Sequence, residues 1–448
     1  MMISYRNWGK WAAFLVLTLY LSSCGTKRVA MTYSPQPPQA EPVMPAADTA
    51  TGTATTSAEE TEKECEPEIH PTVRNADPDT WLGHIQQQLD SLCHSAIGET
   101  SQMGIYIYDL TSQQPVYSYN AWHRMRPASC EKLVTSITLL DHPYGLRPLA
   151  TEVIATGQLA EGVLEGNLYL SGDMDPLLTR ACLDSLATAL HQAGIDSVAG
   201  QLCELMPPYE VLPYGWGWCW DDDYGPMAAH LLDGMEGIQT GWTEALTQAG
   251  IALQSERVAE VNQREGQTIM AFRIEHNIDD VLEPVLKKSD NICAECLFHR
   301  LTALGSKKET ARDQAVEVID SLLLRLGLNP KDYLIADGSG LSLYNYVTPH
   351  MLVTLLNHAH HTESIRQHLV PCLPIAGVDG TLKRRMTGTA AQGNVRAKTG
   401  TVEGVSSLSG YLTAANGHLF SFSIINQGVA RTRTGQNFQD AVCLLLCE

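Results

Sequence analysis

The chain has 448 residues, 44% of them hydrophobic and 18% charged, which is enough for two or three domains with a sizeable core. Its 50 acidic and 30 basic side chains leave a net charge of −20. Such a balance excludes nucleic acid as a partner, because phosphate binding needs a basic face.

In chain order, the first segment is a targeting signal. Arg6 and Lys10 precede the apolar run WAAFLVLTLYL at 11–21, which is too short to span a bilayer as a helix. LSSCG at 21–25 follows and resembles a bacterial lipobox, a signal cut before its cysteine, which then carries lipid. Residues 1–23 are expected to be a lipoprotein signal peptide and Cys24 the lipid attachment site. The product would be exported to the periplasm and held at a membrane by its lipid. Residues 24–77 are rich in Pro, Thr, Ala and Glu, with six Glu in EETEKECEPE at 59–68. They have no hydrophobic period to bury and read as a disordered tether.

Globular patterning starts near residue 80. WLGHIQQQLDSL at 81–92 has helical apolar spacing. MGIYIYDL at 103–110 and QPVYSYN at 114–120 flank a polar turn and predict a hairpin. RPASCEKLVT at 126–135 then opens a helix with an apolar side. Ser129 and Lys132 lie three residues apart on one face of it, so hydroxyl and amine point at the same place.

Residues 145–280 change character, with short strands, many Gly and Pro, and the aromatic cluster YGWGWCWDDDYG at 214–225. This reads as an inserted region, with Trp216, Trp218 and Trp220 expected to form a small core for it. Beyond it, 291–304, 309–327 and 349–361 have helical periodicity, and no cap motif stands out ahead of the first two. Residues 394–400, 405–413 and 419–427 are strand-like, and 434–448 closes as an amphipathic helix. This order predicts an α/β sandwich whose two ends pair in one antiparallel sheet, split by the insertion.

The chain has twelve cysteines; lipidation of Cys24 would leave an odd number. Cys293 and Cys296 form a single CxxC, with no second pair or histidines at ligand spacing, so neither metal nor cofactor is expected. Most are expected to be small buried hydrophobes, and a disulfide such as Cys203–Cys219 stays open.

Two further stretches turn the serine–lysine pair into a constellation. Ser289-Asp290-Asn291 opens a helix, and Lys398-Thr399-Gly400 lies in a strand. Together with Ser129-x-x-Lys132 they make the three-part signature of penicillin-binding proteins and class A β-lactamases. Segments 164–179, 336–349, 373–386 and 395–412 extend the likeness. From about residue 80 to the C-terminus the chain resembles the D-alanyl-D-alanine carboxypeptidase/endopeptidase family, the class C low-molecular-mass penicillin-binding proteins of peptidase family S13. The 160 residues from Ser129 to Ser289 fit that family's insertion and exceed the gap in class A β-lactamases. No Glu-x-x-x-Asn, the deacylation pattern of class A enzymes, occurs in the chain.

The resemblance implies a serine β-lactamase/D,D-peptidase (transpeptidase-like) fold of the α/β class. It has an antiparallel sheet flanked by helices, a helical subdomain and an inserted, mostly β region. The expected catalytic domain is 78–144 with 281–448, and the shortened insert is 145–280. Ser129 would be the nucleophile, Lys132 its base, Ser289 a proton relay and Asn291 a ligand of the substrate amide. Lys132 would be kept neutral by burial and by the charge of Lys398. Lys398 and Thr399 would hold the substrate carboxylate, and Gly400 would let the strand approach the substrate. The backbone N–H groups of Ser129 and Thr401 would bind the oxyanion. The substrates implied are peptidoglycan stem peptides, with β-lactams as covalent inhibitors. Rival readings are a cell-wall-binding lipoprotein that keeps the fold, and a β-lactamase-like hydrolase. The chain departs from the family at Cys130, where threonine is usual, and at Leu343, where arginine is common.

Overall fold

The computed structural model describes residues 73–448 apart from 210, 220, 221, 223–225, 235 and 305–309. The expected signal peptide, Cys24, the tether up to residue 72 and Trp220 lie outside the described residues. Among the described residues no helix is long and apolar enough to cross a membrane.

The central sheet has five antiparallel strands: β1 (Gln102–Asp109), β2 (Gln114–Tyr119), β3 (Arg396–Val402), β4 (Val405–Thr413) and β5 (Leu419–Gln427). They are ordered β3-β4-β5-β1-β2. β1 pairs with β5 from Gln102 opposite Gln427 to Asp109 opposite Phe420. The two ends of the chain therefore close one sheet, as their strand patterns predicted.

Alternation along β5 explains the layers. Phe420, Phe422 and Ile424 face a core with α1 (Trp81–Cys93) and the C-terminal helix Thr432–Cys447. Ile425 faces the other core, built by α2 (Glu131–Asp141), α3 (Asn291–Thr302), α4 (Ala311–Arg325), α5 (Pro349–His361) and α6 (Glu363–Cys372). Small Ser421 lets α5 approach, and its hydroxyl donates to Asn357 Oδ1 at 2.5 Å. The C-terminal helix, Thr432–Cys447, is α7.

α2 and α3 are unusual in being buried on every side: residues 131–140 and 291–302 are all buried. The residues of these stretches, charged ones included, must find their places inside the protein. α3 and α4 also have caps that the sequence pattern did not reveal. Asp290 accepts from Cys293 N at 2.9 Å, and Thr310 accepts from Asp313 N at 3.1 Å. Both were hidden, Asp290 inside a chemical motif and Thr310 inside the periodic run.

Between α2 and α3 the chain builds an insert with its own apolar core. Its larger sheet orders Val258–Val261, Leu202–Leu205, Leu168–Gly172, Leu149–Thr156 and Thr268–His276. A smaller four-stranded sheet accompanies it. Strands predominate, and two helices that periodicity did not announce, Arg180–Gln192 and Gln239–Gln248, pack on them. The tryptophan at the insert's centre is Trp242, wholly buried, not Trp216 or Trp218. Those two lie on a loop and reach residues beyond the insert: Trp216 packs on Tyr344 and under Arg312, and Trp218 Nε1 donates to Asp337 Oδ2 at 2.9 Å.

Candidate active site

Ser129 sits in the 3-10 turn Ala128–Cys130 that leads directly into α2. Ala128 just before it has φ +46°, a left-handed conformation that an alanine adopts only under strain. The turn places Ser129 Oγ 3.1 Å from Lys132 Nζ, one turn along. Two other elements complete the lysine's surroundings: its Nζ lies 2.5 Å from Asn291 Oδ1 on α3 and 2.7 Å from the carbonyl of Ser339. The first two motifs meet where Lys132, near the start of α2, reaches Asn291 at the start of α3, and the third joins them where Lys398 on β3 reaches Ser289.

The electrostatics of this point are set by burial. Desolvation lowers Lys132 to about 8, against the opposing pull of Asp337, Glu295 and Asp290. Lys398 is also wholly buried and is lowered to about 7, first by desolvation and then by the charge of Lys132. The expected help from Lys398 toward Lys132 is thus felt on Lys398, while carboxylates act on Lys132. Glu131 and Glu295 stand beneath the lysine, both in the interior. Burial raises Glu131 well above the usual carboxylate range, and its two oxygens have no hydrogen-bond partner among the described residues. Burial raises Glu295 to about 8 although it accepts from Gly338 N. Burial thus pushes both glutamates toward the neutral form, which weakens their hold on the lysine's proton. These residues escaped the sequence analysis, since nothing in a linear pattern shows that Glu131 points inward.

Ser289 adopts a left-handed conformation, φ +64°, at the end of the turn Pro284–Lys288. Its hydroxyl accepts from Lys398 Nζ at 2.8 Å, and Nζ also donates to Thr399 O at 2.7 Å. Asp290, the middle residue of that motif, holds the helix start and thereby aims Asn291 at Lys132.

β3 forms the edge of the sheet. Ala397 N donates outward to Pro374 O at 3.0 Å, and the period of two then turns the N–H groups of Thr399 and Thr401 to the same side. Gly400 has a local reason to be glycine. A Cβ there would stand 2.1 Å from Ser407 Oγ, 2.6 Å from Pro127 O and 3.0 Å from Ser129 N. The missing side chain lets the strand close on the Ser129 turn itself. Thr399 Oγ1 donates to Thr381 Oγ1 at 2.7 Å. Thr381 belongs to the 373–386 segment and was not singled out as a site residue. Cys130 is wholly buried behind the turn, and its thiol donates to Lys398 O at 3.3 Å, so it tethers β3 where a threonine was expected.

The eight residues predicted for catalysis and substrate binding thus come together where the Ser129 turn, the start of α3 and β3 meet, while Cys24 lies outside the described residues. The ten described cysteines are free, so Cys203 and Cys219 are not bridged: Cys203 is buried and Cys219 exposed.

This is an arrangement suited to acyl transfer onto a serine, as in a serine hydrolase, with a hydroxyl beside an amine of lowered basicity and an open strand edge next to both. The sequence matches the family of D-Ala-D-Ala carboxypeptidase 3 (S13) over residues 85–235 and 226–448. It is 25% identical over 411 residues to D-alanyl-D-alanine carboxypeptidase DacB of Haemophilus influenzae, covering 72% of this chain and 85% of that protein. It is 26% identical over 469 residues to D-alanyl-D-alanine carboxypeptidase of Actinomadura sp., covering 82% and 85%. The fold is that of the crystal structure of penicillin binding protein 4 (dacB) from Haemophilus influenzae, with a TM-score of 0.71, 23% identity, and 80% of this chain and 97% of that one covered. The chain belongs to the S13 family and is a serine-type D-Ala-D-Ala carboxypeptidase.

Proposed function

We propose that Ser129 attacks the carbonyl between the last two D-alanines of peptidoglycan stem peptides and forms an acyl-enzyme that water then hydrolyses. The observation that carries this reading is the triple contact of Lys132 Nζ with Ser129 Oγ, Asn291 Oδ1 and Ser339 O. A neutral amine has two N–H groups and one lone pair. Directed at Asn291 Oδ1 and Ser339 O, the two N–H groups leave the lone pair for the Ser129 hydroxyl. Lys132 thus takes the serine proton as the new C–O bond forms.

The second proton transfer returns that proton. Ser289, held in place by Lys398, relays it from Lys132 to the departing amine, which leaves Lys132 neutral again and Lys398 unchanged. The tetrahedral oxyanion is received by the N–H groups of Ser129 and Thr401. Lys398, Thr399 and Thr381 bind the terminal carboxylate, and the substrate backbone extends β3 as an added strand. Asn291 offers its amide N–H₂ to the penultimate residue. Once the amine has left, Lys132 activates water by the same route.

The lipobox-like stretch at 21–25 supports export and a lipid at Cys24, which would keep the enzyme beside the wall it trims in the periplasm. Catalytic units 78–144 and 281–448 and a separate insert, 145–280, are supported by the insert's own core. β-Lactams, which present a strained amide and a carboxylate to the same groups, acylate Ser129.

A fluorescent penicillin tests the assignment. The wild type is expected to carry a stable covalent label that Ser129→Ala lacks. No label on folded wild type would reject Ser129 as the nucleophile in favour of a binding protein, and rapid loss of the label would favour a β-lactamase.

A further inference from the structure

Lys132 is held from three sides, and the least conspicuous of its partners is a backbone group, Ser339 O at 2.7 Å from Nζ. A carbonyl is only as well placed as the loop that carries it. That loop, 337–345, lies in the connection from α4 to α5 and is buried at Asp337, Ser339, Ser342 and Asn345. Its frame is the Asp337 carboxylate. Oδ1 accepts from Gly340 N at 2.8 Å and from Asn345 Nδ2 at 2.7 Å. Oδ2 accepts from Ser342 N at 2.7 Å and from Trp218 Nε1 at 2.9 Å. Asn345 closes the ring from the other end, its Oδ1 accepting from Ala336 N at 2.7 Å. One carboxylate thus gathers donors from along the loop and from a tryptophan 119 positions earlier in the chain.

The neighbours fix where the loop lies. Gly338 N donates to Glu295 on α3 at 3.1 Å, and Gly338 O accepts from Thr135 Oγ1 on α2 at 2.8 Å. The loop is therefore pinned to both of the helices that carry Lys132 and Asn291. Gly340 has φ +77°, and a Cβ there would stand 1.9 Å from Ala128 O. The same loop thus backs directly onto the strained residue that precedes the nucleophile. The charge of Asp337 does not explain its presence, since it pulls the lysine upward and holds its proton. What the carboxylate supplies is two oxygens that can accept four N–H groups at once.

We propose that Asp337 is a positioning residue of the acyl transfer: by framing the loop 337–345 it fixes Ser339 O against Lys132 Nζ, and Trp218 ties that frame to the insert. The inference rests on Lys132 acting as the base. A neutral amine can turn about its terminal C–N bond. With Asn291 Oδ1 and Ser339 O both in place, its two N–H groups have fixed acceptors and the lone pair faces the Ser129 hydroxyl. With the carbonyl displaced, one N–H loses its acceptor, and the lone pair is directed at the hydroxyl for only part of the time. Asp337 touches neither the serine nor the substrate in this role; it acts through the backbone of Ser339.

Stopped-flow acylation by a fluorescent penicillin over a range of concentrations tests this. It separates the dissociation constant before acylation from the acylation rate constant, and the final label counts competent sites. Asp337→Asn sets an amide nitrogen against two N–H donors, whichever oxygen it replaces. It is expected to slow the acylation rate constant about 10–10²-fold, with the dissociation constant within about twofold of wild type and a full equivalent of label at the end. Trp218→Phe, which keeps a ring and removes one donor, is expected to lose severalfold in the same rate constant. A wild-type rate constant in folded Asp337→Asn would overturn the proposal. So would a reduced final label whose remaining sites react at the wild-type rate, the mark of a residue needed only for folding. If Asp337→Asn does not fold, Trp218→Phe decides, and a wild-type rate constant there overturns the proposal. Lys132→Met in the same assay keeps the two readings apart. A wild-type rate constant in that variant overturns the lysine as base, whereas a slow Lys132→Met beside a fast Asp337→Asn overturns the positioning role alone.

Discussion

The junction of α2 with α3 and the edge strand β3 both carry a buried lysine, yet they treat it differently. Lys132 stands in a wholly inaccessible pocket, ringed by a hydroxyl, an amide oxygen, a carbonyl and three carboxyl-bearing side chains. Lys398 rises from a sheet edge whose next residues, Thr399 and Thr401, open outward. The first environment suits proton transfer, because burial removes the preference for the ammonium form. The second suits binding, because an arriving carboxylate restores the charge that burial weakens. The lesson is that one residue type serves as base or as anchor according to what can reach it.

Removing the base gives the largest expected effect on this comparison. Lys132→Met should slow acylation by β-lactam about 10²–10⁴-fold. Lys132→Arg should fare no better, since a guanidinium keeps its proton. An arginine variant that acylates at the wild-type rate would show that the residue acts as a charge and not as a base. Stopped-flow measurement with a fluorescent penicillin decides it.

The pH profile sharpens the same distinction. Below about 8 Lys132 is protonated, so acylation falls as pH drops. Above about 7 Lys398 loses its charge, so capture of a carboxylate falls as pH rises. kcat/KM for a peptide ending in D-Ala-D-Ala should therefore peak between about 7 and about 8. An acyl substrate without the carboxylate should show only the rising limb. Two falling limbs for that substrate would contradict the division of labour.

A smaller effect is expected at the cap that aims Asn291. Asp290→Ala should destabilise the protein by about 1 kcal/mol and slow acylation as well, whereas Asp290→Asn, which still caps, should stay near wild type. Thermal melting and acylation rate, taken together, separate a lost cap from a lost catalytic group. The smallest change is expected on the binding side. Thr381→Val should raise KM by up to about tenfold with kcat nearly unchanged, as loss of one hydrogen bond to Thr399 would do. A fall in kcat alone would move Thr381 from binding to chemistry.

The sequence by itself determined the chemistry's vocabulary and the frame. Ser129 and Lys132 share a helix face by spacing alone, and the alternation in 405–413 and 419–427 marked strands that the structure reproduces residue for residue. Local spacing suffices there because helix and strand periods are local properties. The structure alone decided what depends on distant residues meeting. It put Glu131 inward beside Glu295, brought Thr381 to Thr399, and moved the core of the insert from Trp216 and Trp218 to Trp242. Asp175 and His276 are likewise unremarkable in the chain and are joined only by the fold. Burial and the charge field it creates arise from contacts between remote segments, and so no linear pattern contains them.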